Sequence, residues 1–369
     1  MRISKLSTRL LAVDASSWYG DAPLPTGESR TWLFPLMTLE TDSGVTGHSM
    51  AYGKQGEGRA TLNLLKEVVE PRLVGEDPLE HGKLWERLMR KTRDLRLVTD
   101  ALTGMVDVAL WDLRGRALGV SVCDMLGRCR DRMPTYATAS RFLATPEQVY
   151  EEARGVEESP LHGYKLQLWD GPKDDIPRYR AAREAVGPDF PLMEDAVAGY
   201  SFVEALEVGR VLDELGFYWF EEPIRDQHLA QLKRLADDLR VPILATETAH
   251  LYDIPEYLRH SAVDLARGDV HTTGGITGLY RAATACDLFG VGLEIHTAAT
   301  PLLDVANLHV ACAVSNGTFL ESHHELFRFG LVGSPLTPDD EGYLHVPTGP
   351  GLGVELDMDW IDDHTVDEA

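Results

Sequence analysis

The sequence predicts an α/β protein, a parallel barrel carrying a second, α+β unit, on three observations. From about residue 134 onward, short apolar runs alternate with amphipathic stretches, one unit every ~25 to 30 residues, which is how parallel strands joined by crossover helices read. Three of those runs, FPLMED, FYWFEE and VPILATE, close on an acid, and Asp195, Glu221 and Glu247 stand 26 residues apart in turn. The first third of the chain lacks this rhythm and reads as strands followed by helices.

Taken in order, RLLAVDA and TWLFPLMTLETDSGVTGHS alternate as strands do, and the polar stretch Ser16–Arg30 between them predicts a hairpin with a long loop. From Arg59 to Leu118 the period becomes helical, as in ATLNLLKEVVEPRLVG and TGMVDVALWDLRGRALG. No Gly/Ser linker follows, so the junction near Leu126–Met133 is expected to be packed. Eight strand candidates come next: PTYATAS, YKLQLW, FPLMED, FYWFE, VPILAT, VDLARGD, VGLEIH and TFLES. Thr145 with Gln148 and Ser201 with Glu204 form capping boxes at two of the intervening helices, and Pro146 takes the first helical position. The Gly- and Pro-rich run from Phe327 to Asp363 is expected to wrap back onto the N-terminal unit. The expected domains are residues 1–128, an α+β cap; 129–326, the barrel; and 327–369, a segment returning to the cap.

Composition narrows the function. The 369 residues, 44 % of them apolar, suffice for a large core. A net charge of −24 argues against nucleic acid and against an anionic membrane surface, both of which need a basic face. No apolar stretch approaches a membrane span, and the N-terminus has too short an apolar run for a signal segment. Cys123, Cys129, Cys286 and Cys312 show no CxxC spacing and read as buried free thiols, which suits a reducing cytoplasm. Barrels of this kind often associate, so a homo-oligomer is compatible with the chain, although no residue pattern marks an interface.

In a parallel barrel the carboxyl ends of all strands open on one face. Asp195, Glu221 and Glu247 would then share a small space, where like charges stay ionised only around a cation, and hard carboxylate oxygens suit magnesium. The plain rival is that each acid caps the helix after it. The other strand ends also carry chemistry. Lys165 and Gln167 lie two apart and share one side of a strand, Asp269 ends VDLARGD, His296 ends VGLEIH, and Glu321 sits in TFLES. Trp18, Tyr19 and Gly20, with Tyr52 and Gly53, read as lid elements, and Arg141 as a group for a distal substrate carboxylate. Glu194 and Glu222, beside two of the acids, are expected to face away from the mouth.

With these residues in place the chain resembles the enolase superfamily, and within it the mandelate racemase-like subgroup, over nearly its whole length. The resemblance implies a modified (β/α)8 TIM-type barrel, (β/α)7β-like, with a capping domain built from both termini. It implies that Asp195, Glu221 and Glu247, the second within WFEEP, are magnesium ligands. Asp269, in DVHTTGGITG, and His296 resemble the subgroup's carboxylate–histidine dyad. Lys165 resembles the first lysine of a Lys-x-Lys strand, and Glu321 the acid that hydrogen-bonds a substrate carboxylate. Two positions depart from the pattern: Gln167 stands where the second lysine belongs, and Val197 where a polar residue is common.

The first departure sets the expected chemistry. Racemisation needs acid/base groups on both faces of the α-carbon, and a glutamine does not titrate. With His296 as the one base, a hydroxylated carboxylate would lose its α-proton to His296 and then its β-hydroxyl. The expected substrate is a small-molecule acid sugar, an aldonate or aldarate, and the expected product a 2-keto-3-deoxy acid. Glu321, if protonated, would donate to the substrate carboxylate, and Gln167 and Tyr19 would meet its hydroxyls. A racemase, epimerase or cycloisomerase is the first alternative, and a metal- and carboxylate-binding barrel without turnover the second.

Overall fold

The computed structural model describes residues 1–369 other than 20–23, 25–28, 54–55, 140–142, 144, 323 and 369. Strand β1 (Ile3–Asp14) buries alternate side chains and pairs antiparallel with β2 (Thr31–Thr41), Asp14 opposite Thr31, and β3 (Thr46–Met50) extends the sheet beyond β2. Helices fold over this sheet. One of them, Asp100–Leu118, is apolar on nearly every face and accordingly buried almost throughout, which is the pattern of a core helix. It ends on Gly119 in the left-handed conformation, φ 71°.

That helix couples the cap to everything else. Its buried Asp112 accepts from His48 N of β3 and from Leu352 N of the C-terminal segment, each at 2.9 Å. Its Gly104 meets the barrel so closely that a Cβ there would stand 2.3 Å from Val270 O, one residue past Asp269. Backbone cannot yield as a side-chain tip can. Gly104→Ala is therefore expected to lower stability by about 1–3 kcal/mol, the usual cost of overpacking, read as a lower urea midpoint at unchanged slope.

The barrel follows: β4 (Arg132–Thr138), β5 (Tyr164–Leu166), β6 (Leu192–Asp195), β7 (Trp219–Glu221), β8 (Ile243–Ala245), β9 (Leu265–Gly268), β10 (Gly292–Ile295) and β11 (Leu320–Ser322). All pair in parallel in chain order, and β11 closes on β4 with Leu320 opposite Thr135. Between them, among the described residues, lie seven helices, each placed between consecutive strands. This is a (β/α)7β barrel. Both expected capping boxes form, at Thr145 with Gln148 and at Ser201 with Glu204. Tyr136, Met193, Trp219, Leu244 and Phe319 fill the interior below the mouth.

After the barrel, β12 (Tyr343–His345) pairs antiparallel with β4, and β13 (Thr365–Glu368) pairs antiparallel with β1. One continuous core includes Trp32 and Phe34 of the cap, Val270 and Leu303 of the barrel, and Leu352 and Ile361 of the C-terminal segment. The junction is packed, as its composition predicts. The thiols differ from expectation at one position: Cys123, Cys286 and Cys312 are buried, but Cys129 is exposed on the turn that follows Gly127. Among the described residues no helix is long and apolar enough to cross a membrane.

Candidate active site

The strands are only three to seven residues long, so chemistry-bearing side chains sit at their ends or just beyond. Asp195 and Glu221 are the last residues of β6 and β7, while Glu247, Asp269 and His296 fall one or two residues past β8, β9 and β10. Among the described residues, seven non-glycine residues have positive φ, and five of them, Val197 (47°), Ala198 (55°), Glu222 (39°), Thr246 (88°) and Ala299 (51°), lie just past barrel strand ends. Such conformations cost energy and collect at functional sites. They also explain one misreading. Strand alternation turns Glu222 away from the mouth, but its left-handed backbone breaks the alternation, and Glu222 lines the cavity beside Glu247.

The cavity holds about 330 Å³ and is lined by Gln167, Asp195, Glu222, Glu247, Asp269, His296 and Glu321 from the barrel, and by Trp18, Trp32, Tyr52 and Phe327 from the cap and the C-terminal segment. That volume suits a small molecule. Trp18 meets Phe327 edge-on at 5.5 Å and Trp32 at 6.2 Å between ring centres, so one wall is aromatic. Trp18 and Tyr52 thus stand where a lid residue belongs. Tyr19 ends the short helix Ser16–Tyr19, and its side chain, like Arg141 and Gly20, lies outside the described residues.

Asp269 and His296 pair. His296 Nδ1 is 2.9 Å from Asp269 Oδ2, and Asp269 Oδ1 accepts from His271 N at 2.5 Å and Thr272 N at 2.7 Å, so the carboxylate is fixed on both sides. Burial would raise Asp269, but His296 and these N–H groups outweigh it and hold the carboxyl below its usual range. His296 Nε2 faces Glu247 Oε1 at 3.8 Å. Burial disfavours the imidazolium, yet Glu247 and the Asp269 hydrogen bond overcome it and push His296 up to about 10.

Lys165 is fully buried, with its ammonium 3.4 Å from Asp195 Oδ2 and 3.3 Å from both Glu221 Oε2 and Glu321 Oε1. Gln167 donates to Asp195 Oδ2 at 2.9 Å. Arg267, which the sequence reading passed over, lies 2.8 Å from Glu221 Oε1 and 3.0 Å from Glu321 Oε2. It stands two residues before Asp269 and so on the same strand face, the rule that singles out Lys165 and Gln167. Glu321 also accepts from the Thr138 hydroxyl. Both Glu321 oxygens are thereby acceptors, an arrangement that does not fit a protonated Glu321 donating to substrate.

Among the described residues, no three His, Cys, Asp or Glu side chains converge as a ready-made metal cage. Lys165, Gln167 and Arg267 instead hold the oxygens of Asp195 and Glu221. The donor chemistry still fits a hard divalent cation. Three carboxylates end adjacent parallel strands, with Asp195 directly opposite Glu221. Burial raises Glu221 to about 7, with Asp195 and Glu247 adding to it against Arg267 and Lys165. Glu247 is raised by burial and then by its acidic neighbours, and Glu222 is pushed up to about 10 by burial and the same crowd. Lys165, Arg267 and a protonated His296 face Asp195, Glu221, Glu247, Asp269 and Glu321. Among the described residues, three cations against five carboxylates leave the mouth short of positive charge.

Comparison with known proteins gives the family context. Residues 25–127 match the model of the mandelate racemase / muconate lactonizing enzyme N-terminal domain, and residues 148–360 match the enolase C-terminal domain-like model. The arabinonate dehydratase of Saccharolobus solfataricus is 32 % identical over 333 residues, covering 86 % of this chain and 87 % of its own. The D-galactarolactone cycloisomerase of Agrobacterium fabrum is 30 % identical over 342 residues, covering 88 % and 89 %. Among solved structures, D-glucarate dehydratase from Agrobacterium tumefaciens complexed with magnesium superposes with a TM-score of 0.88 at 31 % identity, over 100 % of both chains.

Proposed function

We infer the reaction from one premise: this chain belongs to the mandelate racemase / muconate lactonizing enzyme family of the enolase superfamily. The chain carries out magnesium-dependent abstraction of the proton α to a carboxylate, and the reading that fits best is dehydration of an aldonate or aldarate to a 2-keto-3-deoxy acid. Relatives named as dehydratases of arabinonate and of L-talarate/galactarate support it. The observation that carries it is that, among the described residues lining the cavity, one imidazole is held by a carboxylate partner, the Asp269–His296 pair, while just past β5 stands a glutamine whose amide is engaged with Asp195.

Asp195, Glu221 and Glu247 are the residues that would hold magnesium, which supplies Lewis-acid charge to the substrate carboxylate when bound. Lys165, whose ammonium the surrounding acids hold well above its ordinary range against its burial, adds a fixed positive charge beside that carboxylate. An α-proton next to a carboxylate is weakly acidic because its removal puts a second negative charge on the same group, and these cations oppose that cost. Asp269 keeps the proton of His296 on Nδ1, so Nε2 is the nitrogen that faces the cavity as base. To act so the ring must be neutral. The Glu247 charge that raises it is the one a bound cation would take up.

After abstraction, His296 holds the proton and is the acid on that face, so it delivers that proton to the departing β-hydroxyl and the elimination is syn. The enol left behind takes a solvent proton at C3 and becomes the 2-keto acid. Gln167 binds and does not titrate, and the aromatic wall of Trp18 and Phe327 shields the mouth from water. Turnover in D₂O tests this: elimination puts deuterium at C3 of the keto acid, whereas epimerisation puts it at C2 of a recovered hydroxy acid with no keto acid formed. The second outcome would move the assignment to the isomerase side, where the cycloisomerase likeness already points. Three buried thiols, free like the exposed fourth, suit a reducing compartment such as the cytoplasm.

A further inference from the structure

Arg267 is a fully buried guanidinium in the barrel interior, and its contacts are distributed in a specific way. Its Nε lies 2.8 Å from Glu221 Oε1, at an angle that makes the contact ionic and not a hydrogen bond. Its Nη2 donates to Glu321 Oε2 and to the Tyr136 hydroxyl, both at 3.0 Å. The remaining oxygens of the same two acids, Glu221 Oε2 and Glu321 Oε1, both face Lys165 Nζ at 3.3 Å, and Asp195 Oδ2 joins them at 3.4 Å. Each acid is thus split between two cations. Arg267 takes one oxygen of each acid and leaves the other on the Lys165 ammonium, which Asp195 also meets.

We propose that Arg267 is a positioning residue for the metal centre, a clamp across the barrel that selects which Glu221 oxygen is presented beside Asp195 and ties Glu221 to Glu321. The proposal rests on the reading of Asp195, Glu221 and Glu247 as magnesium ligands. A guanidinium suits the task for two reasons. It stays charged in a buried site, and its planar fork fixes the directions from which it meets two carboxylates, whereas a lysine ammonium meets its acids as a point charge on a flexible stem, as Lys165 does with three of them, without setting which oxygen is turned where. The clamp also joins strands β7, β9 and β11, so the ligand orientation is set by the rigid barrel and not by a loop. Without it Glu221 is free to turn either oxygen, or both, toward Lys165, and the ordering must then be supplied by the incoming cation.

The test is calorimetric titration of metal-free protein with magnesium chloride alone, for the wild type and for Arg267→Lys, with folding checked by circular dichroism and melting. The clamp predicts a Kd for magnesium 10- to 100-fold weaker in Arg267→Lys, the range for loss of a group that orients a metal ligand. A folded Arg267→Lys that binds magnesium within twofold of wild type overturns it, because a purely structural counter-ion would leave metal affinity unmoved. If Arg267→Lys does not fold, Tyr136→Phe carries the test: it spares both ion pairs, removes the third partner, and is expected to weaken magnesium severalfold, an unchanged Kd again overturning the clamp. A wild type that takes up no magnesium removes the metal site itself and the clamp with it, a failure distinct from a wild type and a variant that bind alike.

Discussion

His296→Asn is expected to abolish turnover, by about 10² to 10⁴-fold as for loss of a positioned general base, while leaving magnesium binding in place. His296 is the histidine paired with Asp269, and its other nitrogen faces the cavity. No other described side chain lining that cavity combines a base with a dedicated orienting partner: the buried Nδ1 of His271 has no hydrogen-bond partner among the described residues, the remaining acids face one another or the cations below, and Gln167 is an amide. Asparagine keeps a polar group of similar reach at Nδ1 but has nothing to accept a proton. Keto-acid formation should therefore vanish while the magnesium-induced rise in melting temperature persists. Residual activity within tenfold of wild type would place the base elsewhere.

The second large effect is at Glu247. In the metal-free protein its charge is opposed by burial and by Asp195 and Asp269, and favoured by His296 and Arg267, with burial the largest of these. The net balance disfavours ionisation, so Glu247→Gln should leave metal-free protein at least as stable as wild type. Magnesium should distinguish them. A ligand at a hundred times its Kd stabilises the folded state by about 2.7 kcal/mol, and the variant, having lost one of three carboxylates, should lose most of that increment. Melts with and without magnesium chloride check both halves, and a variant that retains the full magnesium shift would remove Glu247 from the ligand set.

Much of the site was legible because a parallel barrel converts sequence period into spatial convergence. Asp195, Glu221 and Glu247 are 26 residues apart because each strand–helix unit is about that long, and the carboxyl ends of all strands share one face. His296 and Asp269 followed from the same rule. What the rule could not give is anything decided by a single dihedral angle or a cross-barrel contact. Glu222 enters the cavity because its φ is 39°, which no strand periodicity foretells. Arg267 sat in plain view within VDLARGD, on the face of Asp269, yet its partners are fixed only once β7 and β11 are brought round to meet β9. Phe327 lay in a run whose Gly and Pro content hid its packing against Trp18. Cys129 differs from the other thiols by position on a turn, not by its neighbours in sequence.

Those misses share a cause. The sequence reports which residues reach the mouth but not how their oxygens are divided among the cations there. In the structure Lys165 and Arg267 share Glu221 and Glu321 between them, and this division turns Glu321 from an expected proton donor into an acceptor on both oxygens. The same crowding makes a divalent cation the natural completion of the site, since two fixed cations and one titratable one do not balance five carboxylates.

The most direct measurement is semicarbazide detection of 2-keto acid across a set of aldonates and aldarates, with magnesium and with EDTA, on wild type beside His296→Asn. The account predicts keto acid from at least one member, formed only with magnesium and only by the wild type. Keto acid that persists in EDTA or in His296→Asn would contradict it.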